Sequence, residues 1–322
     1  MRMRFLSTLA IALAGLAAAA LPAAAQSWPT KPVRLILPYA PGGATDTIGR
    51  PWAEKLSQAL GQQFVIENKG GAGGQLGTEA AAKSTPDGYT FLLAPNSALT
   101  ILPHLRKTPY DPFKDFVTVG RVGDLVCGFV LHPSIPATSL KELLDYAKAK
   151  PGEVLYGSAG LGTATHLRIE MLKKRAGVDI THVPFAGSAA ALNDLLGGHV
   201  HMMNEIVALP HVKAGKLKLL AISYPTRHWD YPDVPTLTEL GYPDSDVPIW
   251  YGIWAPAGTP QDIVTRFNAE IVKLAQDPEM QQRLKDISVI APPQSPADMA
   301  AYMKKDSEAN AQLIRDANVK LE

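Results

Sequence analysis

Three glycine-rich segments are the places where this chain's backbone could bind a small ligand: residues 38–46 (PYAPGGATD), 157–166 (GSAGLGTATH) and 68–77 (NKGGAGGQLG). Glycine lets backbone N–H groups approach a ligand closely, and a helix N-terminus favours negative charge. The first two segments each lie between a predicted strand and a predicted helix, which is the arrangement of an anion site. We interpret both as ligand loops, with a tight turn and a helix cap as the alternative reading.

The two candidate loops contain almost no cationic side chains. Residues 39–49 and 157–167 include no lysine or arginine. A carboxylate bound there must be held by backbone amides and two helix dipoles rather than by an arginine. The third segment, 68–77, is interpreted as structural, because flexibility or a close approach of a helix to a sheet explains its glycines as well as a ligand does.

Other side chains capable of chemistry form no recognisable catalytic or metal-binding motif. His166 and Glu170 are four residues apart on a predicted helix, but neither HExxH nor a Cys/His cluster is present, so we predict no metal and no cofactor. Ser158 and His166 leave an exported hydrolase as an alternative, although no nucleophile elbow and no third member accompany them. The single cysteine, Cys127, has apolar neighbours that indicate a buried thiol.

Apolar runs alternate with amphipathic segments, a pattern typical of βαβ units and a largely parallel sheet. Strands are predicted at 33–37, 64–67, 90–93, 153–156 and 217–222, and helices at 46–60, 139–149, 163–175, 188–197, 260–276 and 296–316. Ser139 and Glu142 predict a capping box at the start of helix 139–149. The aromatic residues Trp250, Tyr251 and Trp254 either line a cleft or pack in a core.

The length of 322 residues exceeds one core of typical size and predicts two domains. Composition shifts at 103–112 and at 224–260, which we interpret as crossings between two lobes. We expect residues 26–125 together with 248–322 to form lobe 1 and residues 126–247 to form lobe 2. A ligand cleft is then expected at the junction.

The N-terminus has the three parts of a secretory signal peptide. Arg2 and Arg4 precede an apolar, alanine-rich run over 5–21, and PAAAQ at 22–26 supplies a cleavage site. We expect residues 1–25 to be removed and the protein to be periplasmic, with a membrane anchor as the alternative. Removing Arg2 and Arg4 from the 31 basic residues leaves 29 against 30 acidic ones, a formal charge of −1. This balance offers nucleic acid no general attraction.

The ordered motifs resemble one family, the substrate-binding proteins of tripartite tricarboxylate transporters, also called the Bug family. The matching segments are WPTKPVRLILPYAPGGATD (28–46), ENKGGAGGQLG (67–77), PDGYT (86–90), PYDPFKDF (109–116), YGSAGLGTATHL (156–167), VPFAG (183–187), AGKL (214–217), DVPTLTELG (233–241) and APAGTP (255–260). They run in order over nearly the whole chain after the signal peptide.

This resemblance implies a type II periplasmic-binding-protein fold, in which two α/β lobes close on a ligand. It also implies a small carboxylate ligand (a dicarboxylate, tricarboxylate, acidic amino acid or aromatic acid), a membrane permease as partner, and no enzymatic activity. We expect a monomer. Carried over by position, the candidate ligand-binding residues are Tyr39, Pro41, Gly42, Gly43, Thr45, Asp46, Asn96, Ser158, Gly160, Gly162, Thr163, His166, Phe185, Gly187, Asn204 and Glu205.

One residue departs from the family pattern. Pro51 lies five or six residues into the helix that follows the first loop, where proline removes a backbone hydrogen bond. We therefore expect that helix to start later than drawn or to bend, which affects the orientation of Asp46. An orphan sensor that feeds a signalling partner remains an alternative to a transport protein, because the fold and cleft would be the same.

Overall fold

A computed structural model describes residues 28–243, 246 and 248–319. The predicted signal peptide at 1–25 lies outside these residues. Within the described part of the chain, no helix combines the length and the apolar character needed to cross a bilayer.

Eleven strands and ten α-helices make up the described chain. The strands are β1 (Val33–Leu37), β2 (Phe64–Asn68), β3 (Thr90–Pro95), β4 (Phe116–Leu125), β5 (Cys127–Leu131), β6 (Leu155–Ser158), β7 (Thr181–Pro184), β8 (Met202–Asn204), β9 (Lys218–Ser223), β10 (Ile249–Pro256) and β11 (Val289–Ile290). The helices are α1 (Ala44–Leu60), α2 (Gln75–Ala82), α3 (Leu102–Leu105), α4 (Leu140–Ala149), α5 (Ala164–Ala176), α6 (Ser188–Leu196), α7 (Leu209–Lys213), α8 (Gln261–Ala275), α9 (Pro278–Asp286) and α10 (Pro296–Ala317).

The strands form two sheets, one in each lobe. The sheet of lobe 1 has the order β11-β4-β10-β3-β1-β2, and the sheet of lobe 2 has the order β7-β6-β8-β5-β9. Each sheet contains three adjacent parallel strands, β2-β1-β3 and β7-β6-β8. This observation confirms the predicted two-lobe α/β fold.

The prediction of largely parallel sheets is wrong for the other strands. In lobe 1, β10 pairs antiparallel with both β3 and β4, and in lobe 2, β5 pairs antiparallel with both β8 and β9. The reason is connectivity, since β5 and β10 are the strands at which the chain enters each sheet from the other lobe. The chain passes from β4 to β5 at Val126, and residues 103–112 join elements of lobe 1 rather than forming a crossing.

Apolar side chains cover both faces of each sheet. One core lies between β1, α1 and α8 and includes Leu35, Ile48 and Phe267. On the opposite face of the same sheet, Trp250 and Trp254 pack in a second core. Burial on both faces explains why the strands read as nearly continuous apolar runs rather than alternating ones.

Helix α1 begins at Ala44, two residues before the predicted start, so a delayed start forced by Pro51 is wrong. The helix continues through Pro51 and ends at Leu60. The next residue, Gly61, has a φ of 69°, the left-handed conformation typical of the position after a helix C-terminus. At α4, Ser139 caps the helix as predicted. The Glu142 carboxylate reaches one residue further back than a standard capping box requires and accepts the Thr138 N–H.

Candidate functional site

Three helix N-termini converge on a narrow cavity between the lobes. Helix α1 enters it from lobe 1, and α5 and α6 enter it from lobe 2. The lining residues are Tyr39, Gly43, Ala44, Thr45, Pro95, Ser97, Leu125, Ala159, Thr163, Ala164, Thr165, Ser188, Glu205, Ile249 and Tyr251. Helix N-termini present unpaired N–H groups and a partial positive charge, so this arrangement suits an anion without any cationic side chain.

The N-terminus of α1 keeps its first backbone donors free of side-chain caps. Gly43 is the N-cap residue, and no side chain hydrogen bonds to the first-turn N–H groups. Asp46 faces away from the cavity, and its carboxylate accepts bonds from Arg50, the Gly42 N–H and Asn68. Burial raises the pKa of Asp46, but these hydrogen bonds outweigh it and hold that pKa below its usual value. Asp46 therefore positions the loop rather than lining the cavity.

The N-terminus of α5 is capped from within lobe 2. The Thr163 hydroxyl accepts the His166 N–H at 3.4 Å and donates to the Gly160 carbonyl at 2.7 Å. Ser158 is fully buried beneath this loop, and its hydroxyl lies 2.7 Å from His182 Nε2. The imidazoles of His166 and His182 stack with centroids 4.3 Å apart. Burial lowers the pKa of His166 to about 4 and that of His182 to about 3, so both are neutral near pH 7.

Helix α6 forms the third side of the cavity. Its N-terminus has no side-chain cap, like that of α1 and unlike that of α5. Its N-cap residue, Gly187, has a φ of 144°, which glycine adopts readily. The hydroxyl of Ser188, the first helical residue, donates to Glu205 Oε1 at 2.5 Å. Glu205 is 3% exposed, and burial raises the pKa of its carboxyl to about 7.

Two tyrosine hydroxyls line the cavity on the side of lobe 1. The Tyr39 hydroxyl donates to the Gly73 carbonyl at 3.0 Å, and the Tyr251 hydroxyl lies 3.1 Å from Thr45 Oγ1. Burial raises the pKa of Tyr39 to about 12 and that of Tyr251 well above 10, so both remain protonated donors. Along β10, Tyr251 faces the cavity while Trp250 and Trp254 face the core. The two alternatives for this aromatic group therefore apply to different residues.

The third glycine segment brings the two lobes close together. A β-carbon placed on Gly73 would lie 2.6 Å from the carbonyl oxygen of Leu161 in lobe 2, and one placed on Gly160 would lie 3.9 Å from Gly73 Cα. A side chain at Gly73 would therefore separate the loops, which is consistent with a structural role for 68–77, although residues 71–74 also line a cavity. A second cavity at the mouth of the cleft has a volume of about 220 Å³.

A cation from outside the candidate loops lies at this mouth. Arg106 lines the outer cavity together with 71–74, 159–161 and 184–186, and it donates to the Ala72 carbonyl. Its Nε is buried without a hydrogen-bond partner in the described chain. Arg106 directly follows α3, far in sequence from the glycine loops, so neither motif nor spacing pointed to it.

The structure brings together only part of the predicted site. The inner cavity is lined by Tyr39, Gly43, Thr45, Thr163 and Glu205. Gly160 and Phe185 line the mouth, and Gly42 faces a groove on the other side of its loop. The remaining predicted residues support the walls without lining the inner cavity or the mouth: Pro41, Asp46, Asn96, Ser158, Gly162, His166, Gly187 and Asn204.

The reasons for this separation are visible in the hydrogen bonds. Asn96 binds Asp306 on α10, and its neighbours Pro95 and Ser97 line the cavity instead. Asn204 binds Ser223 and accepts from Arg168 beneath the cavity floor. Sequence reasoning missed Ser97, Thr165 and Ser188. For Ser188 a signal existed, since it is the first residue of a predicted helix directly after VPFAG.

The catalytic alternative finds little support in this geometry. Ser158 pairs with His182 rather than with His166, is fully buried, and does not line the cavity. Among the described residues, no carboxylate hydrogen bonds to His182. In the same part of the chain, no three or more His, Cys, Asp or Glu side chains come together as a group that could hold a metal ion. The Cys127 thiol is buried as predicted, and burial raises its pKa to about 12.

The comparisons with known proteins agree with this architecture. Residues 48–319 match the model of the tripartite tricarboxylate transporter family receptor. This chain belongs to that family. It is 36% identical to Protein BugT of Bordetella pertussis over 318 residues, which cover 97% of this chain and 96% of that protein.

Solved structures show the same fold. The structure of the periplasmic binding protein BugD is 35% identical, has a TM-score of 0.87 and is matched over 92% of this chain and all of that one. Rpa4515 of R. palustris, solved with adipate, is 32% identical with a TM-score of 0.88, over 91% of this chain and 99% of that one. The chain is therefore a solute-binding protein of the Bug type with a periplasmic-binding-protein fold, and its family is one of receptors rather than enzymes.

Proposed function

We propose that this protein captures a small carboxylate between its lobes in the periplasm and delivers it to the permease of a tripartite tricarboxylate transporter. The observation that carries the proposal is the convergence of three helix N-termini, two of them uncapped, on one cavity. Among the residues that the structure describes, no lysine or arginine lines this cavity. Backbone donors and helix dipoles are sufficient to hold a carboxylate in such a site. The adipate complex of Rpa4515 supports the same class of ligand.

Movement of the lobes is part of this proposal. The inner cavity has a volume of only about 20 Å³, which is room for one or two water molecules. A dicarboxylate must therefore enter while the lobes are apart and be enclosed when they close. We place the lobe boundaries at 125/126 and 247/248, and the strands on either side of these positions, which belong to different sheets, support this division.

Calorimetric titration with a panel of dicarboxylates, tricarboxylates, acidic amino acids and aromatic acids tests the proposal. We expect at least one class to bind, and we expect Ala159→Phe to abolish binding because Ala159 lines both the inner cavity and the mouth. Ala269→Phe, the same change on the exposed face of α8, is the matched control and is expected to bind normally. Absence of binding by the unmodified protein at millimolar concentrations of every class would refute carboxylate capture.

A further inference from the structure

The carboxyl group of Glu205 is the one acidic side chain among the described residues that line the inner cavity. It is 3% exposed. Oε1 accepts the Ser188 hydroxyl, whereas Oε2 is buried without a hydrogen-bond partner in the described chain. A buried carboxylate oxygen without a partner is costly, so this oxygen calls for a partner such as a water, an ion or a ligand group.

The cation that acts on this carboxyl does not pair with it. Burial raises the pKa of Glu205, whereas the Ser188 hydroxyl, the Ile206 backbone N–H and the charge of Arg168 each lower it. The Arg168 guanidinium itself donates to Ser223 and Asn204. No ion pair found in the described chain includes Glu205. The cavity therefore has the carboxyl group of Glu205, ionised or protonated, on one side. The N-termini of three helices, with their partial positive charge, lie around it. This asymmetry matches a ligand that carries both signs of charge.

We propose that Glu205 selects a ligand with a positively charged amino group beside its carboxylate, so that the ligand class is an amino acid rather than a plain dicarboxylate. The inference rests on the proposed carboxylate capture. The ligand carboxylate occupies the helix N-termini, and the ammonium donates to the free Oε2 of Glu205. The ligand ammonium and the Glu205 carboxylate then pair with each other, and this pairing offsets the cost of burying the two charges.

A plain dicarboxylate meets a different environment at the same position. Its second carboxylate, if held near Glu205, places two like charges in a buried site, and one of them must take up a proton. Binding of an amino acid and binding of a diacid therefore depend on pH in opposite directions. An amino acid binds best when Glu205 is ionised, so its affinity increases as pH rises. A diacid binds best when Glu205 is protonated, so its affinity decreases as pH rises.

The other titratable groups near Glu205 do not change charge in the relevant pH range. Burial raises the pKa of Cys127 and of Tyr39 to about 12 and that of Tyr251 well above 10, and an arginine such as Arg168 stays protonated. The pKa of Glu205 is raised to about 7 by burial. Between pH 6 and pH 8 the ionised fraction then rises about tenfold, so the affinity for an amino acid is expected to rise about tenfold.

The experiment compares ligands that differ only in the amino group: adipate with 2-aminoadipate, glutarate with glutamate, and succinate with aspartate. Calorimetry at pH 6, 7 and 8 measures each affinity for the full chain and for Glu205→Gln, which keeps the size of the side chain and an acceptor for Ser188. We expect at least one amino acid to bind at least tenfold more tightly than its matched diacid at pH 8. We expect Glu205→Gln to abolish both this preference and the rise with pH.

Three results would overturn the selection by Glu205. They are equal or tighter binding of the matched diacids, an affinity for amino acids that falls between pH 6 and pH 8, and a preference that survives in Glu205→Gln. Glu205→Asp keeps the charge and is expected to retain part of the preference, which separates loss of charge from misfolding. If neither member of any pair bound, carboxylate capture itself would fail, and that outcome is distinct from tight binding of diacids alone.

Discussion

The two lobes present the same local arrangement to the cavity, a strand followed by a glycine loop and a helix, but they hold it in place differently. In lobe 1 the charge of Asp46 fastens the loop, through Arg50 and the Gly42 N–H, and the N-terminus of α1 stays uncapped. In lobe 2 neutral buried groups hold the loop in place. They are the Thr163 hydroxyl and the stacked imidazoles of His166 and His182. Helix α1 in lobe 1 and helix α6 in lobe 2 therefore both keep free backbone donors, whereas the α5 loop of lobe 2 carries the sensitivity to acid.

The largest expected effect on lobe closure concerns the point at which the two walls meet. In Gly73→Ala the new β-carbon lies 2.6 Å from the Leu161 carbonyl oxygen of the opposite lobe. Overpacking of this kind costs about 1–3 kcal/mol, and the strain acts on the closed state. We expect ligand affinity to fall by about 10- to 100-fold, measured by calorimetry, and small-angle scattering to show a more open protein.

Gly177→Ala is the matched control for this variant. Gly177 has a φ of 63°, close to the 66° of Gly73, but a β-carbon there meets no atom within 4 Å. Both substitutions therefore impose the same backbone strain, and only one obstructs closure. Equal losses of affinity in the two variants would show that backbone strain, not contact between the lobes, is responsible.

The second effect is acid sensitivity in the lobe 2 wall. The folded-state pKa values of His166 and His182 are about 4 and about 3, below the unfolded value of 6.5. Their contribution to stability is complete above pH 6.5 and is lost as pH falls toward these values, because the unfolded chain binds protons first. For His166 the loss reaches about 3 kcal/mol. We expect the Tm to fall as the pH is lowered from 7 to 4, as measured by thermal unfolding.

A histidine variant separates this effect from general acid denaturation. His166→Gln can still accept the Gly162 N–H that His166 Nδ1 accepts, and we expect a smaller fall in Tm between pH 6.5 and pH 4.5 than for the unmodified protein. His199→Gln, at a side chain that is 75% exposed, should leave the pH profile unchanged. An unchanged profile in His166→Gln would assign the acid sensitivity elsewhere.

The third effect tests the ionic fastening of the lobe 1 loop. Asp46→Asn weakens the bonds to Arg50 and the Gly42 N–H, and hydrogen bonds to a buried charge contribute about 1.5–3 kcal/mol. We expect ligand affinity and the free energy of unfolding both to fall. Asp145→Asn removes an ion pair with the same i,i+4 spacing, Lys141–Asp145, whose Asp145 side chain is 55% exposed against 7% for Asp46. That control is expected to leave both quantities unchanged, because solvent screens an exposed ion pair.

The smallest effect concerns the cap of α5. Thr163→Ala removes the hydroxyl that accepts the His166 N–H, and losing an N-cap costs about 1 kcal/mol. Ser139→Ala removes the corresponding cap of α4, away from the cavity. We expect similar losses of stability in urea titrations but a loss of ligand affinity only for Thr163→Ala. If Thr163→Ala and Ser139→Ala bound the ligand with equal affinity, Thr163 would support the loop without contributing to binding.

Much of the fold follows from local sequence. The strands β1, β2 and β3 and the helices α4, α5, α6, α8 and α10 lie within about two residues of their predicted positions, because apolar periodicity and glycine or proline at the ends are local signals. The strands β4, β5, β10 and β11 were not predicted. Their pairing is antiparallel and joins distant segments, so nothing in their own residues specifies the partner.

The sequence by itself determined the family, the two glycine loops and the absence of lysine and arginine from them. It also supplied Tyr39, Gly43, Thr45, Thr163 and Glu205, which line the cavity. Only the tertiary structure decided that Asp46 and His166 turn inward to support their own lobes, that Ser188 and Tyr251 join the cavity, and that Glu205 keeps one oxygen unpaired. The physical reason is that a motif specifies backbone shape locally, whereas the cavity is also lined by side chains from segments more than 100 residues apart, as Thr45 and Tyr251 are.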